Sequence, residues 1–132
     1  MKLKNKIVLV TGAGSGIGEA VAHLFAQEGA RLSLVDKSSD TVESTWKDLT
    51  DGGHEALRFC ADITHANKVI ELVNQTMEQW GRIDVLVNNA GGPCANDLLD
   101  MDDEQWDRDI ELNLTATARL TKAVLPHMVE QH

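Results

Sequence analysis

The sequence predicts an α/β fold in which a parallel sheet is doubly wound, with helices on both faces. Three observations predict it. Short apolar runs alternate with segments of helical periodicity, and glycines close the first three helical segments at Gly29, Gly52-Gly53 and Gly81. A glycine-rich stretch, Thr11-Gly-Ala-Gly-Ser-Gly-Ile-Gly18, directly follows the first apolar run. Strand–helix alternation implies parallel strands joined by right-handed crossovers, with helices packed over the sheet in the doubly wound arrangement.

Each element follows from its local pattern. Residues 6–11 (KIVLVT) read as a buried strand, and residues 16–29 as a helix on which Ile17, Ala20, Val21, Leu24 and Phe25 recur at helical spacing. Residues 31–36 (RLSLVD) form a second strand. Residues 39–51 form a weaker helix with Val42, Trp46 and Leu49 on one face. A third strand spans 54–61 and a third helix 64–80, with Val69, Val73, Met77 and Trp80 in register. Residues 83–88 (IDVLVN) make a short strand apolar on both faces, as expected of one covered by helices on both sides. From 102 to 131 a single long helical segment carries Trp106, Ile110, Leu114, Ala118, Leu125 and Met128 as its apolar stripe, and Pro126 is expected to bend its last turns.

Length and composition narrow the function. A chain of 132 residues holds one domain, and 42% apolar with 25% charged residues is globular rather than disordered. The net charge of -9 argues against a nucleic-acid partner, because affinity for a phosphate backbone comes from clustered Lys and Arg. No apolar stretch reaches the roughly 20 residues of a membrane span, so the expected location is cytoplasmic, away from membranes. Cys60 and Cys94 are too far apart for a Cys-x-x-Cys pair, which predicts free thiols and no metal site; Cys60, at a strand end, reads as a small buried apolar side chain.

The glycine stretch sits where a strand turns into a helix. A pyrophosphate needs backbone N–H groups aimed at it and no side chain in the way, and the positive end of a helix dipole supplies both. Gly12, Gly16 and Gly18 give a Gly-x-x-x-Gly-x-Gly spacing, and no Gly-Lys-Ser/Thr follows, which excludes a P-loop. The second strand ends in Asp36, 24 positions after Gly12, where a carboxylate can accept bonds from an adenosine ribose. That carboxylate would repel a 2'-phosphate, so NAD is favoured over NADP, although Lys37 next to it could reach such a phosphate. The fold is therefore of the Rossmann type, truncated after the fourth strand and its long following helix.

Four features together resemble the short-chain dehydrogenase/reductase family: the loop Thr11–Gly18, Asp62 in CADIT, Asn88-Asn89-Ala90-Gly91, and Asn113 in ELNLTATARL. The resemblance implies an oxidoreductase moving hydride between a nicotinamide cofactor and a small alcohol or carbonyl substrate, with the whole chain as its NAD(P)-binding domain. Gly12, Ser15 and Ile17 would lie along the pyrophosphate, with Gly16 and Gly18 completing the cofactor loop. Asp36 would hold the adenosine ribose, Asp62 and Ile63 would border the adenine, and Asn89, Ala90 and Gly91 would line the nicotinamide-side ribose. Asn113 would help hold a water of the proton relay through a local helix distortion. From the residues alone, Asp62 could instead cap the next helix, and Asn88 could satisfy backbone groups between neighbouring strands.

The family's remaining catalytic groups, a Ser and a Tyr-x-x-x-Lys, have no counterpart here, and the chain has no tyrosine at all. The five histidines are scattered and read as surface residues. The expectation is an N-terminal cofactor half, inactive alone, with IDVLVN left as an edge strand prone to association. A non-catalytic nucleotide-binding or self-associating fragment is the alternative. The resemblance also implies a homo-oligomeric parent, expected to be a homotetramer built through the long helix, and Gly92-Pro93-Cys94 are expected at the substrate.

Overall fold

The computed structural model describes residues 1–93 and 96–131. Four strands, β1 (Ile7–Thr11), β2 (Arg31–Asp36), β3 (Ala56–Cys60) and β4 (Val85–Val87), form a parallel sheet in the order β3-β2-β1-β4. The register places Thr11 beside Val35, Asp36 beside Cys60 and Val10 beside Val87, so the carboxyl ends of all four strands reach the same edge. Chain order reverses between β1 and β4. Such a switch point opens a crevice outside the strand ends.

Helices α1 (Gly16–Gln27), α2 (Ser39–Asp51), α3 (Ala66–Trp80) and α5 (Ala116–Glu130) cover the sheet, while α4 (Asp103–Ile110) buries no residue of its own. Alternation along β1 sends Val8 and Val10 into a core with Ala22, Ala26, Val42 and Leu49 of α1 and α2, and Leu9 into a second core with Val69, Leu72, Val73, Leu120 and Val124 of α3 and α5. The third and fourth strands are shorter than their apolar runs suggested. Residues 54 and 55 lie outside the ladder, and β4 is a half-buried edge whose three valine and leucine side chains are not fully covered.

Two helices present other faces than their stripes implied. On α1 the buried residues are Gly18, Ala22 and Ala26, while Ile17 and Leu24 are exposed, because the helix lies so close to the sheet that only small side chains fit beneath it. In the last helical segment Ala116, Leu120 and Val124 face the core, and Trp106, Leu114 and Leu125 are left outside. A π-helical turn at Glu111–Thr115 joins α4 to α5, and its Ala116 N–H bonds to the Glu111 carbonyl. The extra residue in that turn rotates every later side chain by about 100° relative to an uninterrupted α-helix, which a constant period cannot anticipate. α5 continues through Pro126 to Glu130.

The base of the sheet is tied by polar contacts. Gln131 pairs with the Ile83 backbone in both directions, donating to its carbonyl and accepting from its N–H, each at 3.0 Å. Asp84 accepts from Ile7 N–H at 2.9 Å and forms ion pairs with Arg82 and Lys6. Burial alone would push its carboxyl up, but the Ile7 N–H and the Arg82 and Lys6 charges together hold it below the ordinary value of 3.8. In the unfolded chain Asp84 takes up a proton first as pH falls. Its contribution is therefore full above the ordinary value and lost as pH drops through the lowered one. Stability should decline below about pH 4, and Asp84→Asn should make that decline shallower in acid melts. Equal slopes would remove Asp84 from the acid transition.

Candidate nucleotide cleft

At the carboxyl ends of the strands lies a cleft of about 360 Å³. The loop after β1 contributes Gly12 and Ser15 to its wall, and Gly16 opens α1 beside them, followed by Ile17 with 76% of its surface exposed. Asp36 and Lys37 line it from the end of β2, Asp62 and Ile63 from beyond β3, and Asn89, Ala90 and Gly91 from beyond β4. Val35 and Ala61, which the sequence reading did not single out, and Leu112 add apolar wall. Gly18 is buried behind the loop and does not line the cleft. Asn113 stands just outside it, in the π-turn.

The two carboxylates are held by identifiable bonds. Ser15 is the N-cap of α1 but makes no side-chain cap bond, so the first turn, whose Gly16 and Ile17 line the cleft, has no side-chain acceptor for its N–H groups. Asp36 accepts from Gly14 N–H on one oxygen and from Ser38 N–H on the other, each at 3.0 Å. Asp62 accepts from the Thr64 N–H at 2.9 Å and its hydroxyl at 2.7 Å, an Asx-type turn ahead of α3, whose N-cap is His65. Desolvation raises the Asp62 carboxyl, yet the two Thr64 bonds with the His65 and Lys37 charges outweigh it and leave the group below its usual range. It is a carboxylate at neutral pH.

Thr11 organises the β4 side, although sequence reasoning took it only as the start of the motif. Its hydroxyl accepts from Asn89 N–H at 3.0 Å and Ala90 N–H at 2.9 Å, and donates to the Val87 carbonyl. The Asn89 side chain donates to the Thr11 and Gly12 carbonyls at 3.0 and 3.3 Å. Asn89, rather than Asn88, thus joins neighbouring strands; Asn88 donates to the Thr121 hydroxyl on α5. The Asn113 amide donates to the Asp109 carbonyl and accepts from Gly92 N–H, both at 3.0 Å, and so links the π-turn to the loop after β4. Arg119, also missed, donates to the Thr64 carbonyl and pairs with Glu111.

Other expectations separate from the cleft. Cys60 is exposed at the end of edge strand β3, contrary to its reading as a buried side chain, since β3 has a neighbouring strand on one side only. Cys94 and His132 lie outside the described residues. Of the remaining histidines His65 is exposed, while His23, His54 and His127 are half-buried. Among the described residues no cluster of three or more metal-ligating side chains occurs, and no helix is long and apolar enough to cross a membrane.

A family model described as short chain dehydrogenase matches residues 6–132. The 3-oxoacyl-(acyl-carrier-protein) reductase FabG of Thermotoga maritima is 38% identical over 131 residues, covering 99% of this chain and 53% of that protein. Oxidoreductase UcpA of Escherichia coli K12 is 41% identical over 128 residues, 97% of this chain and 48% of the relative. Among solved structures, an NAD+-bound xylitol dehydrogenase superposes with a TM-score of 0.94 at 33% identity, covering 99% of this chain and 51% of that one. A 7α-hydroxysteroid dehydrogenase complexed with NADH and 7-oxo glycochenodeoxycholic acid gives 0.93 at 32% identity, with 98% and 51% covered. The chain spans about half the length of the relatives it matches.

Proposed function

The chain belongs to the short-chain dehydrogenase family, and from that premise we propose that it supplies the cofactor-binding part of an NAD-preferring oxidoreductase acting on an alcohol or carbonyl compound. The observation that carries the reading is the cleft at the switch point, where an uncapped helix N-terminus, an oriented Asp36 and the Asn89–Gly91 backbone converge. When bound, the nicotinamide ring supplies or accepts the hydride. The first turn of α1 would hold the pyrophosphate, Asp36 the adenosine ribose, Asp62 and Ile63 the adenine rim, and Asn89 to Gly91 the second ribose.

Asn113 is proposed as the residue of the proton relay, oriented by its bonds to Gly92 and Asp109. The 132 residues contain no tyrosine, so the general acid–base step of the family's chemistry would fall to residues outside them. Binding without turnover is therefore expected of this chain. The test is calorimetric titration with NAD and NADP. Saturable binding with NAD the tighter ligand is expected, and absence of binding to either would overturn the reading. Asp36→Ala should weaken NAD by about 1 to 3 kcal/mol and narrow its advantage over NADP. Equal loss for both cofactors would count against the ribose role.

We also propose that a second copy of the protein covers the apolar side chains that α4 and α5 leave exposed. Trp106, Leu114, Leu125 and Val129 are each more than half exposed there. Light scattering on the parent protein should give a multiple of the protomer mass; a monomer mass would refute the assembly.

A further inference from the structure

We propose that Gly14, which does not line the cleft and over which Thr41 closes, sets the preference for NAD over NADP by fixing the Asp36 carboxylate. The inference rests on the reading of the cleft as a dinucleotide site. Gly14 is buried, and its N–H and that of Ser38 each take one oxygen of Asp36. An ionised carboxylate accepts about four hydrogen bonds, so about two positions are left for the cleft, the number a ribose diol requires. Two backbone donors from separate loops determine where those positions point.

The arrangement has no room for a side chain at position 14. A Cβ there would lie 2.3 Å from Thr41 Oγ1, 2.8 Å from Thr41 Cβ and 3.0 Å from Asp36 Oδ2. Thr41 is itself pinned, since its hydroxyl donates to the Ser38 carbonyl at 3.3 Å and its carbonyl accepts from Thr45. Gly14, Asp36, Ser38 and Thr41 therefore form one connected unit, of which Asp36 faces the cleft. Lys37 lies between Asp36 and Ser38 and lines the same rim, with its carbonyl held by the Cys60 thiol at 3.6 Å. A carboxylate pushed out of place would repel a 2'-phosphate less, while Lys37 on the same rim carries the opposite charge. Gly14 is thus a positioning residue acting through Asp36.

The two crowding contacts can be separated. Gly14→Ala meets both Thr41 and Asp36. Combining it with Thr41→Gly removes the Thr41 atoms and leaves the 3.0 Å approach to Asp36. Affinities for NAD and NADP and melting temperatures would be measured for the wild type, Thr41→Gly, Gly14→Ala and the double variant. The double variant should melt close to Thr41→Gly, yet its NAD-over-NADP ratio should be about tenfold lower, as expected when one charged hydrogen bond is displaced. A double variant with the ratio of Thr41→Gly would overturn the proposal, because position 14 would then act only on stability. So would a double variant no more stable than Gly14→Ala, since Thr41 would not be what closes over position 14. If the wild type bound neither dinucleotide, the reading of the cleft would fail first and this proposal with it.

Discussion

Gly18→Ala is expected to lower the melting temperature by about 10 °C or more, a loss of about 3 kcal/mol for a chain of this size. A Cβ at position 18 would sit 2.0 Å from the Gly12 carbonyl oxygen, 2.7 Å from the Gly12 carbonyl carbon and 2.6 Å from Asn89 Nδ2. The first two are backbone atoms of the loop that leaves β1, so no side-chain rotation relieves the clash. Either α1 moves off the sheet, uncovering Ala22 and Ala26, or the loop moves and Asn89 loses its bonds to Thr11 and Gly12. Overpacking costs about 1 to 3 kcal/mol and each lost hydrogen bond about 0.5 to 1.5 kcal/mol. Thermal denaturation followed by circular dichroism checks the value. A shift of only a degree or two would mean that α1 and the loop do not approach so closely.

Gly16→Val is expected to do the opposite: abolish NAD binding, by a hundredfold or more, while the protein still folds. A Cβ at position 16 meets nothing within 4 Å, and Gly16 lines the cleft, so the added methyls occupy space that the ligand needs. The residue also has φ of +56°, where a side chain costs about 1 to 2 kcal/mol, and a β-branched one costs most. Gly53→Val separates the two effects. Gly53 has φ of +84°, nothing within 4 Å, and lies just after α2, outside the cleft. Both variants should lose comparable stability, and only Gly16→Val should lose NAD. Parallel loss of binding in the two would assign the effect to backbone strain.

The two glycines show why one motif carries separate demands. Position 16 must leave open space in front of α1, and position 18 must let α1 touch the loop behind it. Both demands fall on the backbone, and a backbone demand selects one residue type wherever it occurs, which makes the spacing readable without a structure. Strand and helix order was readable for a similar reason. The apolar period of 2 or 3.6 reports a face to be buried, whatever buries it.

Which face that is, and what it meets, was less accessible. The stripe through Trp106, Leu114 and Leu125 is as apolar as the one through Ala116, Leu120 and Val124, and the π-turn between α4 and α5 decides between them. Cys60 looked like a core residue because strand ends are usually covered, but β3 lies at the sheet edge, and edge position is a property of strand order.

The sequence by itself determined the alternation of strands and helices, the glycine loop between β1 and α1, and the acid that ends β2. Those depend on local periodicity and on what a backbone turn tolerates. Only the tertiary structure decided that Thr11 organises the loop after β4, that Asn89 rather than Asn88 bridges the strands, and that the Gly14 N–H holds one oxygen of Asp36. Each of those contacts joins residues 20 to 80 positions apart, and their meeting follows from strand order and register rather than from any local pattern.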